Sequence, residues 1–341
     1  MTTEITRNVK KTGKNIKQAF FKYIKTLKKG NATTSFTISN TTKKINRFYF
    51  TPVRMYDGFL VCGVVVSNSL QAKEFAILAD GRFDYISVDC EKKIEPVSYS
   101  FRGDIGNIKG IVQRNVKKSK LITFKANDIT VDAIDIFIDD KIKDVFLKKV
   151  AIIGSGNIGF KLALKLVERG CWVNMYRRSQ KKLALQVDCI NITKPKGTLA
   201  TAYACKTIKK ALNQVHVVVA VADSPRIINS NHIKASAAGV VLIDCGKGCF
   251  SDEVCSSNMV YRTDVGMSLI YQLKKVIESQ NTLHPKFGKK KIDGRKYVCG
   301  ISGIRGDVVV MDINDIDSVV GVCDGEGGIV KSNAGRHGKY T

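Results

Sequence analysis

The sequence predicts an α/β protein: a smaller N-terminal αβ domain, then a doubly wound parallel sheet, then a short β-rich C-terminal tail. Three observations predict it. Between residues 149 and 281, short apolar runs alternate with stretches of helical periodicity, the pattern of a parallel sheet with helices between its strands. Residues 58–66 (GFLVCGVVV) form a continuous apolar run, as expected of a strand covered on both faces. Beyond residue 286, Gly and Val alternate in bursts too short for helices.

The chain has 341 residues, which suits two domains with a small addition at about 100–200 residues per domain. The expected borders are 1–148, with 1–33 a basic amphipathic helical segment, then 149–284 and 285–341. With 44% hydrophobic and 25% charged residues, the chain has material for real cores and is not a disordered polymer. Its apolar runs, such as residues 215–223, are too short to cross a bilayer, so no membrane span is expected. The first residues are polar and basic with no apolar h-region, so no secretory signal is expected. Ten cysteines without such a signal read as reduced thiols, and the expected location is cytoplasmic.

Charge is the unusual number. There are 56 Lys and Arg against 30 Asp and Glu, a net +26. The surplus is concentrated in residues 1–50 and 151–285. Such a field draws phosphorylated ligands and polyanions, so nucleic acid is a rival partner to a small molecule.

In chain order, residues 15–28 place Ile16, Ala19, Phe20, Tyr23, Ile24 and Leu27 at helical spacing. That is a helix packed on the first core, although a membrane-surface helix or a presequence has the same pattern. Strand 58–66, helix 69–79 and strand 84–90 make the first αβ layer. A long helix over 128–143 follows, with Asn127 or Asp128 as its N-cap. Then come strand 150–153, helix 157–169, strand 172–176, a helical piece near 180–187 and helix 206–214. Strands 216–222, 240–244 and 259–263 and a closing helix 267–279 complete the sheet. The tail opens with a basic loop, Lys289, Lys290 and Lys291, followed by strands 297–301, 308–311 and 318–322.

The strand at 150–153 runs into Gly154-Ser155-Gly156-Asn157-Ile158-Gly159 and then into a helix. A GxGxxG in that context is the Rossmann dinucleotide fingerprint. Gly154 permits the tight turn, Gly156 lets backbone approach a pyrophosphate, and Gly159 lets helix pack on strand; the helix N-terminus attracts the phosphates. An acidic residue at the end of the second strand would select NAD. The sequence there reads Tyr176-Arg177-Arg178-Ser179, with no carboxylate and two guanidiniums. Arg177, Arg178 and Ser179 suit the 2′-phosphate of NADP. Ala222, Asp223 and Ser224, Gly246, and Gly266 follow later strands at the carboxyl edge, where loops touch a nicotinamide.

A smaller αβ domain, a linking helix and an NADP-type Rossmann domain, with KVAIIGSGNIG and NMYRRS as its words, resemble the group of shikimate dehydrogenase, methylenetetrahydrofolate dehydrogenase and glutamyl-tRNA reductase. In shikimate dehydrogenases a Lys after an N-domain strand and an Asp opening the linking helix handle the proton of the substrate hydroxyl. The resemblance carries those roles onto Lys92 or Lys93 and onto Asp128, and it implies a homodimer. The expectation is an NADP(H)-dependent oxidoreductase that moves a hydride to or from a small carbonyl, imine or hydroxy compound held between two domains. Two rivals stand beside it. One is a cyclising or dehydrating step on an amino-acid-derived imine. The other is a non-catalytic NADP(H) sensor that holds nucleic acid through its N-terminal helix and Lys289–Lys291.

Other clusters carry less. Cys245, Cys249 and Cys255 lack the spacing of a zinc site, and no metal is expected. Asp312, Asn314, Asp315 and Asp317 read as a turn between strands, since the offsets of a calcium loop are missing.

Overall fold

The computed structural model describes residues 15–27, 30–41, 48–91, 107–263, 265–282, 288–300 and 303–330. They fall into two compact units, Met1–Tyr271 and Gln272–Thr341. The first holds both sheets of the α/β fold, one mixed and one all parallel, and the second holds the β-rich tail.

The first sheet contains β1 (Thr33–Asn40), β2 (Tyr49–Tyr56), β3 (Phe59–Val66), β4 (Tyr85–Asp89) and β5 (Lys120–Phe124), in the order β2-β3-β1-β4-β5. All are parallel except β2, which runs antiparallel to β3. The β2–β3 turn is Asp57-Gly58, with φ of 49° and 75°, the left-handed pair that tight hairpins demand. An edge position also suits Pro52, which has no N–H for a second neighbour. Helix α1 (residues 15–24) buries Ile16 and Phe20 against Phe36 and Phe75. Its apolar face is therefore core. Helices α2 (Ser69–Ala79) and α3 (Lys109–Asn115) complete that side.

Strands β1, β2 and β5 and helix α3 are absent from the sequence reading. Strand β1 reads TTSFTISN. Phe36 and Ile38 alternate with hydroxyl residues, so one face enters the core while Ser35, Thr37 and Ser39 point to the other. No continuous apolar run announces it.

Helix α4 (Ala126–Lys141) starts earlier than expected. Its N-cap is Lys125, which makes no side-chain cap. The carboxylate of Asp89 accepts the N–H of Ala126 at 3.4 Å, and that of Glu91 accepts the N–H of Asn127 at 3.1 Å. Asn127 and Asp128 thus lie inside the first turn and cap nothing, because a neighbouring strand end already supplies acceptors.

The second sheet contains β6 (Lys149–Ile153), β7 (Trp172–Tyr176), β8 (Ala202–Cys205), β9 (Val217–Ala220), β10 (Val241–Asp244) and β11 (Val260–Tyr261). The order is β11-β10-β9-β6-β7-β8, all parallel. Helices α5 (Asn157–Glu168), α6 (Gln180–Thr193), α7 (Ile208–Ala211), α8 (Ser230–Ile233), α9 (Asp252–Ser257) and α10 (Val265–Thr282) connect them. One face packs Ile152, Val173 and Met175 under Leu162, Leu166 and Leu183; the other packs Val218 and Leu242 under Ile228 and Phe250. Strand β8 went unpredicted because its AYAC lies at the sheet edge with half-exposed residues.

Between α4 and α5 runs a ladder of charge. Asp128 pairs with Lys161, Asp132 and Asp135 with Lys165 at 2.8 and 3.1 Å, and Asp135 and Asp139 with Arg169. The spacing follows the helical repeat on both sides.

In the second unit, β12 (Gly288–Ile292), β13 (Arg295–Cys299), β14 (Val308–Asp312), β15 (Asp315–Cys323) and β16 (Ile329–Val330) lie side by side in that order. Lys289, Lys290 and Lys291, expected in a loop, stand on the edge strand β12 instead. The turn Asp293-Gly294, with φ of 48° and 79°, folds that strand onto β13. No helix among the described residues is long and apolar enough to cross a membrane.

Candidate functional site

The strand order of the second sheet reverses between β6 and β9, and a crevice opens at the carboxyl ends of strands at such a point. There β6 ends in Gly154, whose φ of 107° is closed to most side chains. A Cβ on Gly154 would also lie 2.7 Å from the amide nitrogen of Ala222. On Gly159 a Cβ would lie 2.1 Å from the carbonyl oxygen of Gly154, so α5 packs on the loop only because that residue is bare. Gly156 differs. It is the N-cap of α5, and a Cβ there would meet nothing within 4 Å. Open space beside it, a helix start with no side-chain cap and no acid in the first turn form a cradle that an anionic group fits.

A cavity of about 520 Å³ lies over this loop. It is lined by Gly154, Ser155 and Gly156, by Arg177, Arg178 and Ser179, and by Ala222, Asp223 and Ser224. The structure therefore gathers these nine predicted residues from the ends of three strands. Asn157 and Ile158 stand in the first turn of α5, and Gly159 serves packing beneath it.

The two arginines have different roles. Arg177 donates to the Ser155 carbonyl at 3.0 Å and to Gln186 Oε1 at 3.4 Å, while Ser155 Oγ donates to the same Oε1 at 2.7 Å. It clamps the glycine loop to α6. Arg178 is exposed at the cavity and has no hydrogen-bond or ion-pair partner among the described residues. Asp223 pairs with Lys247 at 2.7 Å.

Gly246 lies outside the cavity wall. A Cβ there would come 2.4 Å from the Ala222 carbonyl oxygen, so its bareness lets the loop after β10 close on the loop after β9. Asp244 holds that loop by accepting the N–H groups of Gly246 and Cys249 at 2.9 and 2.8 Å. Cys245 meets Thr263 Oγ1 at 3.4 Å, and burial pushes its thiol pKa up.

Gly266 is placed elsewhere. It lines a second cavity, of about 280 Å³, with Thr263, Val265 and Leu269 on one side and the hydroxyl face of the first sheet on the other. Thr37, Ser39, Thr51 and Arg54 belong to that wall. They were missed with β1 and β2; the signal in the sequence was the strict hydroxyl–apolar alternation of residues 35–39.

Lys92 and Lys93 lie outside the described residues. Asp128 lines neither cavity and is held by Lys125 at 2.7 Å and by Lys161. Burial works to raise its pKa, but hydrogen bonds from these two ammonium groups outweigh it and hold the carboxyl below its usual range.

Residues 149–265 match the family model of the NAD binding domain of 6-phosphogluconate dehydrogenase. This part of the chain has the fold of a Rossmann-like nucleotide-binding domain. Solved structures similar to the chain include the ornithine carbamoyltransferase from Pyrococcus furiosus, at 10% identity over 80% of this chain and 92% of that one, TM-score 0.45. Dipicolinate synthase A chain from Bacillus subtilis is 12% identical over 74% and 98%, TM-score 0.34. L-tryptophan dehydrogenase from Nostoc punctiforme is 14% identical over 65% and 64%, TM-score 0.38. No curated protein sequence matches the chain.

Proposed function

We propose that the protein is an NADP(H)-dependent oxidoreductase acting on a small carbonyl, imine or hydroxy compound. The observation that carries the reading is Arg178 at the end of β7, exposed in the cavity of the glycine loop where an NAD-selective domain places a carboxylate. Its planar fork matches a 2′-phosphate bidentately. Residues 154–157 and the start of α5 would hold the pyrophosphate. Ala222, Asp223 and Ser224 would face the nicotinamide half. When bound, the nicotinamide supplies or accepts the hydride.

The proton that accompanies the hydride needs a donor or acceptor of its own. Asp128 is kept ionised by Lys125 and Lys161, so it would serve to position a cation rather than to give up a proton. By the resemblance, Lys92 or Lys93 would carry it.

Titration with NADPH and with NADH, followed by the fluorescence of the nucleotide, tests the reading. Ligand fluorescence is the proper signal because Trp172 starts β7, stacked on Tyr203, roughly 13 Å along the strand from Tyr176 at the cavity. NADPH is expected to bind at least about ten-fold tighter than NADH. Equal binding of the two would remove the 2′-phosphate assignment. Binding of neither would overturn the proposal.

A further inference from the structure

We infer that the amino-terminal edge of the second sheet binds single-stranded nucleic acid, with an unpaired base stacked on Tyr203 and Trp172 and its phosphates on Lys149 and Lys210. The site lies at the edge opposite the glycine loop and does not depend on the proposed oxidoreductase reading.

Strand register builds the site. Lys149 of β6 stands beside Trp172 of β7, and Asn174 of β7 stands beside Tyr203 of β8. Trp172 and Asn174 are two residues apart, so all four share one face of the sheet. Strand β8 ends the sheet on that side, and no further strand flanks Tyr203. Helix α7 packs Ala211 on this face but is a single turn of four residues. Asn174 Nδ2 donates to the Ala211 carbonyl at 3.0 Å, and the strand starts below that contact stay open.

A cavity of about 440 Å³ lies there, lined by Lys149, Trp172, Asn174, Tyr203, Lys210 and Asn213. The two rings are stacked, 18° from parallel with centroids 6.0 Å apart, and Tyr203 is 46% exposed. One exposed aromatic is ordinary on a protein surface. A stacked pair in a concave site beside two ammonium groups is a platform for a further flat ring. Among the described residues, which include all of 107–263, no carboxylate lines the cavity or pairs with Lys149 or Lys210.

Charge selects a strand over a lone nucleotide. Residues 189–222 contain five lysines and no acidic residue. Of these, Lys206 and Lys209 are exposed beside Lys210 on the segment that leads from β8 into α7. Cations that continue beyond the cavity match a row of phosphates. A duplex keeps its bases stacked on one another and offers the rings no free face. An acidic peptide or a polyphosphate would meet the lysines and leave the rings unused.

Trp172 is the chain's one tryptophan, so its fluorescence reports this site. The test is quenching of that fluorescence when the full chain is titrated with an oligothymidylate of about eight nucleotides. Thymidine monophosphate, a duplex of the same length and inorganic polyphosphate are run beside it. The oligonucleotide is expected to quench saturably and to weaken as salt rises, with the monophosphate about ten-fold weaker or more and little quenching by duplex or polyphosphate. Tyr203→Ala is expected to weaken the oligonucleotide about ten-fold, and Tyr203→Phe to retain it, because the ring and not the hydroxyl stacks. Lys210→Gln is expected to lower the slope of log affinity against log salt by about 0.7. Both positions are exposed, so melts of these variants are expected to match the parent chain. No quenching, equal quenching by duplex or polyphosphate, a monophosphate as tight as the strand, or undiminished binding by Tyr203→Ala would each overturn the inference. Binding seen only by the anisotropy of a labelled strand, with Trp172 unquenched, would place nucleic acid on another basic surface and overturn it as well.

Discussion

Lys165 Nζ lies 2.8 Å from Asp132 Oδ1 and so ties α5, which carries the glycine loop, to α4, whose first turn is held by Asp89 and Glu91 at the end of a first-sheet strand. The neighbouring rung is deeper. Asp135 has a side chain only 10% exposed and receives both Lys165 and Arg169. Removing it leaves two half-covered cations facing each other. Asp135→Ala is expected to cost about 2–3 kcal/mol in urea unfolding, less than a fully buried pair because both cations retain solvent. Asp139→Ala, at the exposed end with 52% exposure, is expected to cost under about 1 kcal/mol. Equal costs would refute the graded ladder.

Acid stability follows from depressed carboxyls. Burial works to raise Asp80, but the backbone N–H groups of Ser119, Lys118 and Lys117 outweigh it and hold its pKa below the ordinary value. Asp128 is depressed as well, by Lys125 and Lys161. A folded pKa below the unfolded one adds stability above the unfolded value, about 3.9, that is lost as pH falls through the folded value. Unfolding free energy is thus expected to fall steeply below about pH 4 and to be level near neutrality. Asp80→Asn is expected to lose about 1–2 kcal/mol at pH 7 and to show a shallower acid limb in urea titrations run across pH.

The glycines of the loop separate fold from binding. Gly156→Ala is expected to keep Tm within a few degrees and to weaken NADPH at least about ten-fold, because the added methyl enters open space that a phosphate would use. Gly159→Ala is expected to unfold the domain or cost about 3 kcal/mol, since its methyl would meet the Gly154 carbonyl oxygen at 2.1 Å. Circular dichroism melts and nucleotide titrations on the two variants decide this. Similar melts for both would contradict the division of roles.

Adjacent arginines are expected to fail differently. Arg178→Ala should leave Tm unchanged and NADH affinity intact while NADPH affinity drops about ten-fold or more. Arg177→Ala should weaken both nucleotides together, because it frees the Ser155 carbonyl and Gln186 from their clamp. A selective loss of NADPH in Arg177→Ala, with none in Arg178→Ala, would exchange the assignments.

What was legible in the sequence was whatever local chemistry dictates. Strands β3, β6 and β9 are apolar runs, and the glycine loop reads directly because Gly154 and Gly159 each meet a separate steric demand while Gly156 leaves open space. Strand β1 hid because five of its eight residues carry hydroxyls, of which Thr37 and Ser39 line a cavity, and β2 because it is an edge strand with Pro52 and the exposed Met55 and Tyr56. The start of α4 was misplaced because Asp89 and Glu91, 37 and 36 residues away, cap it. No local pattern carries that. The division of labour between Arg177 and Arg178 was equally invisible, since it depends on where Gln186 of α6 comes to rest.

Strand β12 presents one unpaired backbone edge among the described strands, and Lys289, Lys290 and Lys291 are all exposed along it. An open edge is a template on which another chain can add a strand, and three adjacent ammonium groups make two such edges repel. Pairing of two such edges is then opposed by the charge of these three lysines. High salt, lysine acetylation or alkaline pH would quiet that repulsion and let two such edges pair.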